Sequence, residues 1–173
     1  MERVISKDIV LKNLKVSDAF ALFNAVDSSR GNLSKYMPWE KSVVDLESAR
    51  AYIEGRLYSG IEGSQWFAVH FQKQFSGVFG VKSIHRETRV CELGYWLADS
   101  ATGNRVVGQI LEVLVPTLAS EQGVKTFEFH CLESNLASVK IAKRAGATLK
   151  SRGQHTLDVP EKEQSMCIYA LEL

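Results

Sequence analysis

The stretch ATGNRVVGQIL, Ala101 to Leu111, sets Gly103, Asn104 and Arg105 between the strand-like run VCELGYWLA and an apolar pattern of helical spacing. A glycine-led turn at a helix start exposes backbone N–H groups that lack intrahelical acceptors, at the positive end of the helix dipole. The chemistry on offer there is anion binding, above all of phosphate. Arg105 stands where such a loop would more comfortably carry a second glycine. A cation in the first turn opposes the dipole at a cost of a few tenths to about 1 kcal/mol, which a bound anion would remove; a solvated arginine pointing away is the alternative. Further along, Glu128 and His130 in KTFEFHCLE share one face of an extended strand and are candidates for acid–base work, although a lone strand histidine is more often a satisfied polar group. Cys91, Cys131 and Cys167 sit singly in apolar runs, without metal-ligand spacing or an even framework, and read as buried reduced thiols. Cys131 has nothing beside it in sequence to activate it as a nucleophile.

Periodicity predicts the elements that position these residues. DIVLKNL alternates as a strand. Val16, Ala19, Phe20, Phe23 and Val26 follow at helical spacing behind a Ser17 cap. SSRGNLSKYMPW breaks the pattern as a turn or short irregular helix. SVVD has the form of a capping box ahead of Leu46, Ala49, Ile53 and Leu57. QWFAVHFQ, FSGVFGVKSI and RVCELGYWLA predict a three-strand antiparallel meander with a tight turn near Lys73 and Gln74. A long helix from Gly103 to about Gln122 carries a stripe of Val107, Leu111, Leu114 and Leu118, and Pro116 predicts a kink or an early end. KTFEFHCLE, a short helix closed by Gly146, and two last strands complete the order. The strand–helix–strand crossover makes two neighbouring strands parallel and puts the Gly103 loop at a strand's C-terminal end, where open α/β sheets bind ligands.

With 173 residues, 45% of them hydrophobic, the chain can bury a proper core, and one domain over residues 1–173 is expected. A formal charge of +1 with evenly mixed signs argues against a general nucleic-acid binder. No run has signal-peptide or membrane-spanning character, and with reduced cysteines this predicts a cytoplasmic protein without a membrane partner.

The segments ELGYWLADSATGN, KTFEFHCLESN and NLASVKIAKRAGATLKSRG, in this order and spacing, resemble the GNAT superfamily of acetyl-CoA-dependent N-acetyltransferases. The closer likeness is to its RimJ/RimL-like branch of ribosomal-protein N-terminal acetyltransferases, which reads EIGYWL, then GKG, then N-x-x-S; KYMPW resembles that branch's W/Y-L/M-P-W element. The likeness covers nearly the whole chain. It implies an α/β acyl-CoA N-acyltransferase fold: a central, mostly antiparallel sheet with one splayed parallel strand pair and about four helices.

The resemblance also implies roles. The pantetheine arm of acetyl-CoA would lie between the strand ending near Ala98 and the strand from Lys125, with backbone N–H groups at Leu97 and Ala98 polarising the thioester carbonyl where a bulge frees them. The pyrophosphate would sit on Gly103, Asn104, Arg105, Val106, Val107 and Gly108. Asn135 matches the asparagine that holds the arm, and Ser138 a position near the thioester sulfur, suited to protonating the departing thiolate, with an ordinary helix-start serine as the alternative. Glu92 matches a catalytic glutamate acting directly or through water, or else a structural or substrate-orienting carboxylate. Tyr36, Met37, Pro38 and Trp39 would line the acceptor side, with core capping the equal alternative for Trp39. The loop departs from the family pattern Gln/Arg-x-x-Gly-x-Gly/Ala: Thr102, Arg105 and Val107 occupy its defining positions and only the extra Gly103 is kept. No metal is required. The expected activity is acetyl transfer from acetyl-CoA to a primary amine, preferably a protein N-terminus such as that of a ribosomal protein. A small amine, amino acid or antibiotic acceptor is the runner-up, and a non-catalytic acyl-CoA sensor or interaction module the reading from another class. A monomer and a homodimer fit equally.

Overall fold

In the computed structural model, which describes residues 2–173, the alternating runs form eight strands: β1 (Glu2–Val4), β2 (Ile9–Asn13), β3 (Gln65–Phe71), β4 (Gln74–His85), β5 (Val90–Leu97), β6 (Thr126–Leu132), β7 (Thr148–Gly153) and β8 (Met166–Glu172). They make one sheet in the order β1-β2-β3-β4-β5-β6-β8-β7. Every neighbouring pair is antiparallel except β5–β6. The helices are α1 (Ala19–Asp27), α2 (Arg30–Leu33), α3 (Leu46–Leu57), α4 (Val106–Gln122) and α5 (Leu136–Arg144).

Side-chain alternation divides the core. Phe67, Val69, Phe79, Val81, Leu93 and Phe129 face α4 and α5, whose Val107, Ile110, Leu111, Leu114 and Ala142 complete one cluster. Ala68, Val78 and Trp96 face the other way, against Leu22, Val26, Ala49 and Ile53 from α1 and α3. A two-residue periodicity on the strands thus feeds helices on both faces. Among the described residues no helix is long and apolar enough to cross a membrane.

The predicted strands, meander and crossover are all present, and the Lys73 turn is tight, with Gln72 and Lys73 at φ 49° and 67°. Several local expectations are corrected. β1 went unread because three residues at a sheet edge carry too little periodicity. α2, a single turn, is by contrast the short irregular helix expected within SSRGNLSKYMPW, and it brings the helix count to five among the described residues. Ser17 is no cap: it lies in a short 3-10 turn, and Asp18 accepts from the Lys15 N–H at 2.8 Å instead. Phe20 is 67% exposed, because Ala19, Leu22, Ala25 and Val26 form the buried face of α1. α4 does not end at Pro116 but runs on to Gln122, where left-handed Gly123 closes it. The α3 cap lies one turn later than SVVD suggests: the Asp45 carboxylate accepts from the Ser48 N–H at 2.7 Å, and the Ser48 hydroxyl takes the Asp45 N–H.

The Ser48 backbone N–H and then its hydroxyl hold the Asp45 carboxyl below its ordinary value. Its stabilising effect is therefore present above the ordinary carboxylate range and is lost as pH falls through the lower folded-state value. Asp45→Ala is expected to lower Tm by a few degrees near neutral pH, with a smaller gap to wild type in acid, as thermal melts at several pH values will read.

Candidate active site

β5 and β6 pair only at their root, from Val90–Thr126 to Leu93–Phe129. Beyond it, Gly94–Leu97 stays paired to β4 and His130–Leu132 to β8. Between these unpaired edges opens a cleft of about 360 Å³, reached by Glu92, Gly94, Tyr95, Trp96, His130, Asn135 and Ser138. The Ala98 N–H donates to the Ser76 carbonyl at 2.8 Å. In an antiparallel ladder successive amides point to opposite sides, so the Tyr95 and Leu97 amides face the cleft. Ala98 is thus engaged where a free N–H was expected, and Leu97 alone of the two offers a donor without needing a bulge. The bulge in this pair lies elsewhere, at Lys82, between the Val81–Leu93 and Ser83–Glu92 pairings.

That bulge places a cation over the cleft. The Lys82 ammonium pairs with Glu92 Oε1, and the Lys82 stem crosses Gly94, where a Cβ would lie 2.8 Å from Lys82 Cδ. From the facing strand, His130 Nδ1 lies 3.7 Å from the same Glu92 oxygen, while His130 Nε2 is 2.9 Å from Glu128 Oε2 and Lys150 Nζ is 2.7 Å from Glu128 Oε1. Burial pushes the Glu128 carboxyl up, but Lys150 and His130 outweigh it and hold it below its ordinary range. Glu92, Glu128 and His130, separate candidates in the sequence, are thus joined in one charged chain across the root of the splay. Glu92 Oε1 takes both contacts; Oε2 is left to accept.

The start of α4 is an open donor set. Arg105 is its N-cap residue, in left-handed conformation at φ 55°, and provides no side-chain cap. The first helical N–H to find an acceptor is that of Gln109, bonded to the Arg105 carbonyl at 3.0 Å, leaving those of Val106, Val107 and Gly108 without partners among the described residues. Gly103, at φ 79°, and the Asn104 amide, bonded to the Thr102 carbonyl at 3.0 Å, shape the loop. A Cβ on Gly108 would meet nothing within 4 Å, so the first turn of α4 is open on that side. Three unpaired N–H groups at a helix N-terminus, on a first turn with an open side, suit a pyrophosphate, and the chain therefore fits an acyl-CoA donor. The Arg105 side chain is exposed and runs along the helix to Glu112, at 3.2 Å.

At the start of α5, Asn135 is buried and its Oδ1 accepts from the Ser138 N–H at 3.3 Å. Ser138 faces Tyr95, whose phenol burial pushes above its ordinary range and whose ring stacks on Phe79 at 6.1 Å. Burial also pushes the Cys131 thiol up to about 11, as expected of an inert thiol. On the acceptor side, the Tyr36 hydroxyl donates to the Ser134 carbonyl at 3.2 Å, and Trp39 packs on Tyr52 and Trp96 with centroids at 4.7 and 5.4 Å. No role for Lys82, Tyr95, Tyr52 or Arg56 was legible in the sequence. For Arg56 a signal existed: it stands four residues after Tyr52 on the apolar side of α3, an odd place for a cation.

Residues 8–148 match the model of the acetyltransferase (GNAT) domain. The ribosomal-protein-serine acetyltransferase of Escherichia coli (strain K12) is 22% identical over 147 residues, 84% of this chain and 82% of that protein. Among solved structures, RimL, a ribosomal α-N-protein acetyltransferase in complex with coenzyme A, superposes with a TM-score of 0.90 at 22% identity, covering 100% of this chain and 98% of that one. The microcin C7 self-immunity acetyltransferase MccE, in complex with acetyl-CoA and AMP, does so with a TM-score of 0.87 at 20% identity, over 98% and 94%. A family match over most of the chain, on a sheet whose one parallel pair splays beside an open helix start, makes the protein a member of the acetyltransferase (GNAT) domain family.

Proposed function

We propose that this acetyltransferase acetylates the N-terminal α-amine of a protein, with a ribosomal protein as the leading acceptor. The placement of Glu92 carries the reading: a carboxylate at the root of the splay, fixed by Lys82 and His130 through one oxygen and open at the other. The acetyltransferases named above support the acceptor class, and so does an acceptor end lined by Tyr36, Trp39 and Trp66. Acetyl-CoA supplies the activated acyl group. Glu92 Oε2 accepts the amine proton, directly or through a water, so that a neutral amine attacks. The Leu97 N–H points where a carbonyl oxygen gains charge. Ser138 Oγ stands to give up a proton near the sulfur, with Tyr95 behind it. Asn135 holds the start of α5 in place and lines the cleft beside it.

Incubation with acetyl-CoA, N-terminal peptides and small amines, read by mass spectrometry and thiol release, tests the acceptor. Preferential α-amine acetylation of peptides supports the reading; turnover confined to small amines sinks it. The seat of the pyrophosphate is tested separately. A carboxylate at position 105 would face an anion bound on Val106, Val107 and Gly108, and Arg105→Glu is expected to weaken CoA binding about 10-fold by calorimetry, less at high salt. Unchanged affinity would place the phosphates elsewhere.

A further inference from the structure

The acceptor end of the cleft holds a cation without a counter-ion. Arg56, from α3, lies among aromatic rings: its guanidinium carbon is 3.3 Å from the Tyr52 ring centroid, 5.3 Å from that of Trp66 and 5.8 Å from that of Trp39. Tyr52 is itself locked, its hydroxyl accepting from Trp96 Nε1 at 2.9 Å. Among the described residues no carboxylate lies within ion-pair distance of Arg56, and the carboxylate that lines the cleft, Glu92, is taken by Lys82. Arg56 Nη1 donates to the Tyr52 carbonyl at 3.1 Å, whereas Nε is buried with no acceptor. The Tyr52 face in contact, with Trp66 and Trp39 further off, compensates the charge, but ring faces cannot accept the N–H groups along the guanidinium edge. A buried donor left without an acceptor, on a charged group, is costly, and Nη2, unbonded and not sealed off, is the donor that an incoming acceptor can reach. Burial pulls the guanidinium below its ordinary value with only Tyr52 opposing, in keeping with the lack of an acid partner.

We propose that Arg56 is the specificity-determining cation of this cleft, and that the amine acceptor carries a carboxylate, which seats against the free edge of the guanidinium while the amine reaches Glu92. The inference rests on the acetyl-transfer reading above. Chemistry favours a carboxylate over a neutral polar group, because two parallel N–H donors in a fixed plane match two carboxylate oxygens, and the surrounding aromatic rings exclude competing water. Trp66 covers Gly80 on β4, where a Cβ would strike its ring, and Gly80 pairs with Gly94 on β5. Arg56 over Trp66 therefore stands one to two strand spacings, roughly 5–10 Å, to the side of the reacting strand and a ring-stacking height above the sheet. That distance suits a peptide N-terminus with an acidic second or third residue.

The test compares C-terminally amidated peptides that differ only by aspartate or asparagine at the second or third position, together with small amines that differ only by a carboxylate or its amide. Wild type is expected to prefer the acidic member about 10- to 100-fold in kcat/KM, mostly through KM. Arg56→Gln should bring the ratio to within about 2-fold, the loss falling on KM for the acidic peptide, and Arg56→Lys should restore part of the preference. Should Arg56→Gln fail to fold by circular dichroism, the wild-type comparison and Arg56→Lys still decide. Equal use of both members by wild type, or a preference that survives Arg56→Gln, overturns the proposal. An Arg56-dependent preference seen only among small amines supports it while removing the protein N-terminus as acceptor; acetylation of acidic and neutral peptides alike keeps that acceptor and removes Arg56.

Discussion

Glu92→Gln is expected to lower kcat by about 10²- to 10⁴-fold while leaving CoA affinity unchanged, the loss appropriate to a positioned general base. The amide keeps the shape of the side chain and an oxygen for Lys82, but it cannot take a proton from the amine. Glu92 shares one face of β5 with Gly94 and Trp96, beside the unpaired edge, and Lys82 and His130 hold its Oε1. Stopped-flow or thiol-release kinetics over a pH series are the measurement. If Glu92 only anchors Lys82, the variant loses stability and keeps its turnover, and an amine in its neutral form at high pH would show no rescue. His130→Gln gives the complementary result: a smaller loss, because the histidine touches Glu92 at 3.7 Å and acts on its position more than on the proton itself.

The second large effect comes from a residue that never touches a substrate. Gly77→Ala is expected to cost a few kcal/mol of stability and to lower turnover of the folded fraction by about 10²- to 10³-fold. Gly77 pairs with Leu97 at φ 145°, and a Cβ there would stand 2.1 Å from the Trp96 carbonyl oxygen and 2.9 Å from Leu97 Cα. Both obstacles are backbone, so nothing flexible can give way. Relief requires β4 and β5 to part at the point where Leu97 presents its N–H to the cleft. Denaturant melts read the first effect; kcat per folded molecule reads the second. Full activity in a stably folded Gly77→Ala protein would show that the Leu97 amide has no part in the chemistry.

The elements were legible because their signals are local. Two-residue alternation marked the inner strands and a 3.6-residue stripe marked α4, and both arise from burying one face of a periodic chain. Errors gathered where competing local signals were nearly equal. Ser42 and Asp45 can each begin a helix, and only the docked angle of α3 chooses Asp45. Phe20 fits the helical spacing, yet the direction of α1 against the sheet turns it outward. Pro116 sits in a helix whose apolar face is buried along its length, so tertiary packing keeps the helix going.

The sequence alone determined the strand and turn that lead through Arg105 into α4, the crossover making β5 and β6 parallel, and the likeness that named acetyl-CoA as donor. Each depends on residues close together in the chain. The tertiary structure alone decided which groups meet. Lys82 reaches Glu92 through a bulge, His130 approaches from a strand almost forty residues away, Tyr95 backs Ser138, and Arg56 enters the acceptor end from a helix the sequence assigned only to packing. It also turned Arg105 toward Glu112 and left the backbone N–H groups behind it unpaired. Periodicity fixes which face a side chain occupies, but strand order and register fix what lies opposite it, and those are set by non-local pairing that no short window of residues contains.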